Sequence, residues 1–134
     1  KAWPFGKLRW LTKHMSGFSA TGRVMLCRKE WTHHRCPLCD TPNEDATHVL
    51  ACRDSRARST WKTSVSTFAD RLEELHTDPR IIRVLRSRLL SWSTPYSTTF
   101  SPSVLSPSIS AALASQDHLG WTQFLYGRSV SAWE

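Results

Sequence analysis

The chain has 134 residues, which suits a single domain with a modest hydrophobic core. It carries 18 Lys and Arg and 11 Asp and Glu, which gives a formal net charge of +7. This excess of basic residues favours binding to a polyanionic partner over the alternative, a basic surface that contacts only solvent. No apolar run reaches the roughly 18 residues of a membrane span and nothing resembles a signal peptide, so we expect an intracellular protein, nuclear or cytoplasmic, that is not secreted and has no membrane partner.

The N-terminal residues place basic side chains among aromatic ones. Pro4 and Gly6 disfavour an early helix, and a short helix over residues 8–14 is predicted to end at Ser16-Gly17. Basic residues interleaved with aromatic residues are typical of segments that hold phosphates and stack bases. An alternative stays open, in which the tryptophans belong to the core and the lysines are solvated.

A second helix is predicted within residues 18–31, after the Thr21-Gly22 turn. Val24, Cys27 and Trp31 then share one apolar face, because they are separated by three and four residues. Cys27 is therefore predicted to be a small buried residue on that face, as free cysteines often are.

Three cysteines and one histidine follow in the pattern C-x2-C-x8-H-x3-C, formed by Cys36, Cys39, His48 and Cys52. The first two lie on one tight turn and the last two on one face of a helix, so all four side chains can meet at one point. Three thiolates and an imidazole complete the tetrahedral ligand set of Zn²⁺, which predicts one structural zinc ion with no open position. Either His33 or His34 can replace a nominal ligand in this interpretation. The alternatives without metal are buried free thiols or, in a secreted protein, a disulfide.

The following segments have the periodicity of amphipathic helices. A helix over residues 48–76, capped by Thr47 and interrupted near Arg53-Asp54, carries one apolar stripe. A further helix over residues 79–92 has Asp78-Pro79 at its start, which is a favourable N-cap followed by a favourable first residue. Their short connection predicts an antiparallel helical hairpin.

Residues 93–108 are rich in Ser, Thr and Pro and predict a flexible loop. Helix resumes after it, with Gly120 and Gly127 weakening its continuity. The predicted fold class is mainly α, a small helical domain stabilised by one structural CCHC zinc site. The single domain 1–134 comprises a basic zinc-binding part (1–61), a helical hairpin (62–92), the loop (93–108) and a C-terminal helix (109–134). Because the chain opens at Lys1 rather than Met, we expect a fragment of a longer protein.

Three runs of sequence resemble a known zinc-binding segment: residues 9–17 (RWLTKHMSG), 36–39 (CPLC) and 44–52 (EDATHVLAC). Over residues 9–61 the chain is similar to the zinc-binding domain found downstream of the reverse transcriptase in retroelement proteins of the non-LTR type. That segment has Cys-Pro-x-Cys, a short acidic loop, and then His, two hydrophobic residues, any residue and Cys. Residues 120–128 (GWTQFLYGR) also resemble the tail of such reading frames in protists and fungi.

The resemblance implies zinc on the same four residues and a role in handling template RNA or target DNA beside the reverse transcriptase domain of the parent chain. The polymerase itself is not implied here, because no paired-Asp strand motif occurs in these residues. The spacing between the second and third ligands exceeds that of the retroviral nucleocapsid knuckle, so base stacking of that type is not implied.

The sequence thus predicts a non-catalytic module that binds nucleic acid chiefly by electrostatics. Residues 1–60 carry eleven Lys and Arg against five Asp and Glu, so +6 of the net charge lies there. The residues expected to contact RNA or DNA are Lys7, Arg9, Lys13, His14, Arg23, Arg28, Lys29, Arg35, Arg53, Arg56 and Arg58. One competing hypothesis is a protein-interaction or scaffold module without nucleic-acid contact. Another is a nuclease, but no Gly-rich phosphate loop, nucleophile elbow or acid–base pair is evident.

Overall fold

The computed structural model describes residues 5–92 and 105–133, and within these residues the chain is mainly helical and has no strand, as predicted. The helices are α1 (Phe5–Met15), α2 (Gly22–Cys27), α3 (Ala46–Ala51), α4 (Ser55–Glu74), α5 (Pro79–Ser91), α6 (Pro107–Leu119) and α7 (Trp121–Leu125), and a 3₁₀ turn covers Ser131–Trp133. Most of the predicted loop 93–108 lies outside the described residues, and α6 begins at its end.

The chain divides into two compact units, Lys1–Ser59 and Thr60–Glu134. The boundary lies close to residue 61, where the sequence predicted that the basic zinc-binding part would end. In the first unit are α1, α2, α3 and the first residues of α4, and the remaining helices belong to the second unit.

The first helix starts earlier than predicted and ends where predicted. It begins at Phe5 and includes Gly6, so this glycine does not interrupt it. Its end is fixed by Ser16, whose hydroxyl donates a hydrogen bond to the Thr12 carbonyl at 2.7 Å. Gly17 then adopts a φ of +74°, a left-handed conformation that favours glycine and stops the helix.

The second helix is shorter than predicted, and the predicted burial of Cys27 is wrong. Helix α2 ends at Cys27, which is exposed. Lys29 adopts a φ of +59°, and the N–H groups of Glu30 and Trp31 both donate to the Met25 carbonyl. This turn redirects the chain before Trp31, so the spacing of Cys27 and Trp31 no longer defines one helical face.

The predicted helix over residues 48–76 is two helices, α3 and α4, with the interruption at residues 52–54, close to the predicted break. Asp45 rather than Thr47 is the N-cap of α3, and its carboxylate accepts a hydrogen bond from the His48 N–H at 2.7 Å. The side chain of Asp54 accepts from the Arg56 N–H at 2.9 Å in the same way, at the start of α4. Each of the two helices thus begins after an aspartate that accepts from its first turn.

In the second unit, α5 begins at Asp78-Pro79 as predicted. The Asp78 carboxylate accepts from the Arg80 N–H at 2.8 Å and pairs with the Arg80 guanidinium at 2.7 Å, which holds the pKa of Asp78 below its usual range. Its predicted apolar face is buried at Ile82, Leu85 and Leu89.

The core of the second unit joins α5 to α6. Val84, which is fully buried, forms one cluster with Ile109 and Leu113. Partly buried hydrophobic residues packed against this cluster are Ile81, Leu105, Trp121 and Trp133. Trp121 and Trp133, both partly buried, thus add aromatic area to this core.

The predicted C-terminal helix 109–134 is two helices, α6 and α7, followed by the 3₁₀ turn, and the break lies at one of the two glycines expected to weaken its continuity. Gly120, with a φ of +94°, separates α6 from α7. The side chain of Gln116 is fully buried beside this break. Its oxygen accepts from the Val130 N–H at 3.1 Å and from the Trp133 indole N–H at 3.3 Å. One buried amide thus fixes the last described residues to α6.

Candidate metal centre

The turn that carries the first two cysteines is closed by backbone hydrogen bonds. The Asp40 N–H donates to the Cys36 carbonyl, and the Cys36 N–H donates to the Thr41 carbonyl, both at 2.9 Å. Asp40 adopts a φ of +58°, which lets the chain reverse directly after Cys39. The Leu38 N–H points at the Cys36 sulfur from 3.5 Å. The turn therefore brings two sulfur atoms together and directs an N–H toward one of them.

The other two ligands come from α3 and the residue that ends it. His48 lies in the first turn, directly above the Asp45 cap, and Cys52 is the C-cap residue. Cys52 has left the helical conformation, with φ −55° and ψ 132°. Its sulfur nevertheless lies near the imidazole because the two residues are four apart, which is one turn of helix.

The four ligand atoms converge. The sulfur atoms of Cys36, Cys39 and Cys52 and a ring nitrogen of His48 all lie within 4.8 Å of one another. The Cys36 and Cys52 sulfurs are 3.9 Å apart, and the Cys39 sulfur is 3.3 Å from His48 Nε2. A tetrahedral ion at about 2.3 Å from sulfur and about 2.0 Å from nitrogen sets these pairs about 3.8 Å and about 3.6 Å apart. The group is therefore close enough to hold one metal ion.

The centre is partly shielded from water. Cys36 is 3% exposed and Cys52 is 5% exposed, whereas Cys39 and His48 are half-buried. Burial raises the pKa of the Cys36 thiol to about 11. Hydrogen bonding with the Thr41 side chain, 3.1 Å away, and with its backbone lowers the pKa of Cys39 to about 6. One thiol of the turn is thus prepared as a thiolate and the other keeps its proton until a cation replaces it.

The loop that carries the turn is attached to α2 through Glu44 and Gly22. The Glu44 side chain, 6% exposed, accepts a hydrogen bond from the Gly22 N–H at 2.7 Å, and its carbonyl accepts from the Arg23 N–H at 3.0 Å. Glu44 also donates its own N–H to the His34 carbonyl at 2.9 Å. A β-carbon on Gly22 would lie 2.8 Å from the same His34 oxygen, so only glycine allows this approach.

The two histidines considered as alternative ligands, His33 and His34, lie outside the group. In the described part of the chain, the cluster contains only the four residues of the C-x2-C-x8-H-x3-C pattern. Nδ1 of His33 accepts from the Arg35 N–H at 3.3 Å, and its ring packs 5.7 Å from that of Trp31. Cys27 is exposed on α2 and is likewise not a member.

The basic residues expected to contact nucleic acid are mostly exposed. Only two of them are not: Lys13 is half-buried and His14 is 8% exposed. Burial leaves little of the His14 ring to meet a polyanion at the surface. The exposed ones are Lys7, Arg9, Arg23, Arg28, Lys29, Arg35, Arg53, Arg56 and Arg58.

The acidic residues of the first unit are largely committed to internal contacts. Asp40 pairs with Arg35 at 3.1 Å and Asp54 pairs with Arg56 at 3.2 Å. Glu44 and Asp45 are hydrogen bonded to the starts of α2 and α3. Of the three acids in residues 40–45, only Asp40 pairs with an arginine among the described residues. Sequence reasoning had no signal for the Glu44 contact, because its partner is 22 residues away.

The chain matches no protein-family model, and no curated protein and no solved structure matches it. Among the described residues, no helix has both the length and the apolar character needed to cross a membrane. Fold and site together define a class: a mainly helical protein with a Cys₃His group that can hold one metal ion.

Proposed function

We propose that this chain is a zinc-stabilised nucleic-acid-binding module of a mobile-element reverse transcriptase, which contacts template RNA or target DNA through the basic surface of its first unit. The ion is zinc, because three thiolates and one imidazole are a ligand set of structural zinc sites. Its role is structural rather than catalytic, since the four protein ligands leave no position for water or substrate.

The observation that carries the proposal is a difference between the basic and the acidic residues of the first unit. Several arginines are exposed and form no ion pair in the part of the chain that the structure describes, whereas most of the acidic side chains are already engaged in contacts within the unit. The first unit has eleven Lys and Arg and five Asp and Glu, a net +6. Four of the five acids are used in ion pairs or at helix starts. By contrast, Arg23, Arg53 and Arg58 are exposed and form no ion pair within the described residues. Such cations gain most from a polyanion, because phosphate contacts release condensed counterions.

The resemblance to the zinc-binding domain of retroelement proteins supports the more specific part of the proposal. It covers residues 9–61, which correspond closely to the first unit, and its ligand pattern falls on the four residues that converge. The parent chain then supplies the polymerase, and this module positions nucleic acid beside it.

The test is the salt dependence of binding to short labelled RNA and DNA, single- and double-stranded, measured by fluorescence anisotropy with the metal-loaded chain. We expect the affinity to fall by about tenfold or more between about 50 and about 200 mM salt. Replacing Arg53 and Arg58 by Ser should reduce the slope of log affinity against log salt by about 2. The matched control is the replacement of Arg83 and Arg86 by Ser on α5 in the second unit, which removes the same charge.

Three results contradict the proposal. One is an absence of binding at low salt. Another is an affinity that does not change with salt. The third is a control pair that lowers the affinity as much as the test pair does.

A second candidate is a protein-interaction module. It is favoured by apolar side chains that the first unit leaves exposed, namely Phe18 at 62%, Val49 at 49% and Met15 at 39%. Binding driven by such side chains strengthens or stays constant as salt rises, because salt screens charges and not apolar contacts. The same salt titration therefore separates the two candidates once a partner is in hand.

A further inference from the structure

A pocket in the first unit lies beside the metal centre and is not part of it. It has a volume of about 440 Å³, within the roughly 300–1,000 Å³ of small-molecule sites. Its walls come from the end of α1, the segment before α2, and α3. The residues that line it include Lys13, Ser19, Ala20, Arg28, Val49 and Leu50.

One wall is apolar and is set by the helix that also carries a metal ligand. Ala46, Val49 and Leu50 all line the pocket, and their spacing of three and four places them on one face of α3. Val49 remains 49% exposed, so this face is open to a ligand rather than covered by the rest of the unit. The same helix holds His48, and a metal ion on the ligand group would therefore fix the position of this wall.

Two cations also line the pocket, beside His14 and Thr21. Lys13 from α1 and Arg28 from the end of α2 both border the pocket. Arg28 Nη2 donates to the Phe18 carbonyl at 3.3 Å, which restrains the guanidinium. Two cations together with an apolar wall select a ligand with an anionic end and a flat or apolar body.

A third feature is an unused hydrogen-bonding group. The hydroxyl of Ser19 is buried and has no hydrogen-bond partner within the described residues. Buried polar groups normally have partners, because leaving one unpaired costs about 1–3 kcal/mol. A ligand in the pocket that offers a donor or acceptor at this position satisfies it.

We propose that this pocket holds one unstacked nucleotide of a bound single strand. The phosphate lies between Lys13 and Arg28, the base lies against Val49 and Leu50, and the hydroxyl of Ser19 hydrogen bonds to the edge of the base. The inference rests on the proposed nucleic-acid binding and makes it specific: the module prefers a single strand, because a paired base cannot leave its stack at no cost.

The test compares a short single strand with the duplex of the same sequence, using the full metal-loaded chain and its Ala20→Leu variant. Ala20 is exposed and lines the pocket, so leucine fills the space without changing charge or the core. We expect Ala20→Leu to weaken single-strand binding about tenfold, the size of one base contact, and to leave duplex binding within about twofold. Ala111→Leu, at an exposed position of α6 in the second unit, is the matched control and should change neither.

A second measurement does not depend on the polymer. Adding a nucleoside monophosphate should shift the methyl NMR signals of Val49 and Leu50, whereas inorganic phosphate alone should leave them in place. Ser19→Ala should weaken the response to the nucleotide. Equal shifts with phosphate alone, or no shift with either ligand, overturn the inference.

The outcomes separate this inference from the proposed function. If Ala20→Leu binds single strands as the unchanged chain does, the pocket is not used and this inference falls, while salt-dependent binding leaves the proposed function standing. If it loses single-strand and duplex binding equally, the pocket belongs to a backbone-binding surface and the unstacked nucleotide is wrong. If the unchanged chain binds neither form at low salt, the proposed function falls and this inference falls with it.

Discussion

The carboxylate of Glu44 accepts a hydrogen bond from the backbone N–H of Gly22 at 2.7 Å, in a buried contact that spans 22 residues. It attaches the loop between Cys39 and α3 to the start of α2. The metal centre can therefore organise more than its own loop: holding the four ligands also holds Glu44 in place, and with it the orientation of α2. Several exposed arginines of the first unit lie on or beside these elements, which connects the metal to the proposed nucleic-acid surface.

Removing this carboxylate should destabilise the first unit. We expect Glu44→Ala to lower the free energy of unfolding by about 1–3 kcal/mol, because the buried Gly22 N–H loses its acceptor. Glu44→Gln keeps an oxygen at a similar position and should cost less. Chemical denaturation of the metal-loaded chain measures both, with Glu30→Ala, at an exposed position, as the control. Equal stability of Glu44→Ala and Glu30→Ala would contradict the structural role assigned to this contact.

A β-carbon at Gly22 should have a similar effect by a different cause. The β-carbon would lie 2.8 Å from the His34 carbonyl oxygen, so the backbone at Gly22 and the backbone at His34 would have to move apart. Hydrogen bonds from the Gly22 N–H to Glu44 and from the Glu44 N–H to His34 hold these two segments together. We expect Gly22→Ala to cost about 1–3 kcal/mol of stability, the usual range for overpacking. Gly6→Ala is the matched control, because a β-carbon there would have nothing within 4 Å and alanine favours helix. Gly6→Ala should be neutral or slightly stabilising, and a loss there equal to that at Gly22 would count against this explanation.

Metal affinity should rise with pH, and the two thiol pKa values set the sign. Cys39, with its pKa lowered to about 6, is already a thiolate at neutral pH, whereas Cys36, with its pKa raised to about 11, is protonated. Binding a cation must therefore release at least one proton, from Cys36, throughout the range from about pH 6.5 to about pH 8.

We expect log affinity to increase by at least about one for each pH unit in that range, and more steeply below about pH 6, where Cys39 also takes up a proton. Competition with a chelator of known affinity measures the slope. A constant affinity between about pH 6.5 and about pH 8 is incompatible with the arrangement of these two thiols.

The second unit offers a test of its own in Gln116. This side chain is fully buried and accepts hydrogen bonds from the Val130 N–H and the Trp133 indole. Gln116→Leu keeps the volume and removes both acceptor contacts, so we expect a loss of about 1–3 kcal/mol as two partly buried donors lose their acceptor. Ser115→Ala, at the exposed neighbouring position, is the control and should change stability by less than about 0.5 kcal/mol. Metal affinity should stay the same in both variants, since the four ligands lie in the first unit.

The sequence was most informative where a short pattern of residues allows only one local structure. The spacing of Cys36, Cys39, His48 and Cys52 predicted a convergence that the structure has, because a tight turn and one helical turn fix where such side chains point. Asp78-Pro79 marked the start of α5, and Gly120 marked the break between α6 and α7. Within each pair of ligands, Cys36 with Cys39 and His48 with Cys52, and at each of these helix boundaries, the residues that decide the local geometry are within four positions of one another.

The sequence was least informative where a residue's contact partner is far away in the chain, or where two nearby residues could each play the same structural role. Thr47 and Asp45 are both able to cap a helix, and the aspartate does so because the chain enters α3 two residues earlier than predicted, at Ala46. Cys27 is exposed, and the turn at Lys29 follows the end of α2, so the spacing of Cys27 and Trp31 did not define one buried helical face. The Glu44–Gly22 contact and the pocket beside α3 both arise from residues far apart in sequence, which periodicity cannot report.

We expect one metal ion on these four ligands to organise the first unit, and native mass spectrometry of the full chain and two variants tests this most directly. One zinc ion per chain is expected in the unchanged protein and in Cys27→Ser, whose cysteine is exposed and outside the ligand group. No retained ion is expected in Cys36→Ser, which lacks one of the four ligands. A chain without zinc, or a Cys36→Ser variant that keeps its ion as tightly as Cys27→Ser does, would contradict the assignment of the metal to this group.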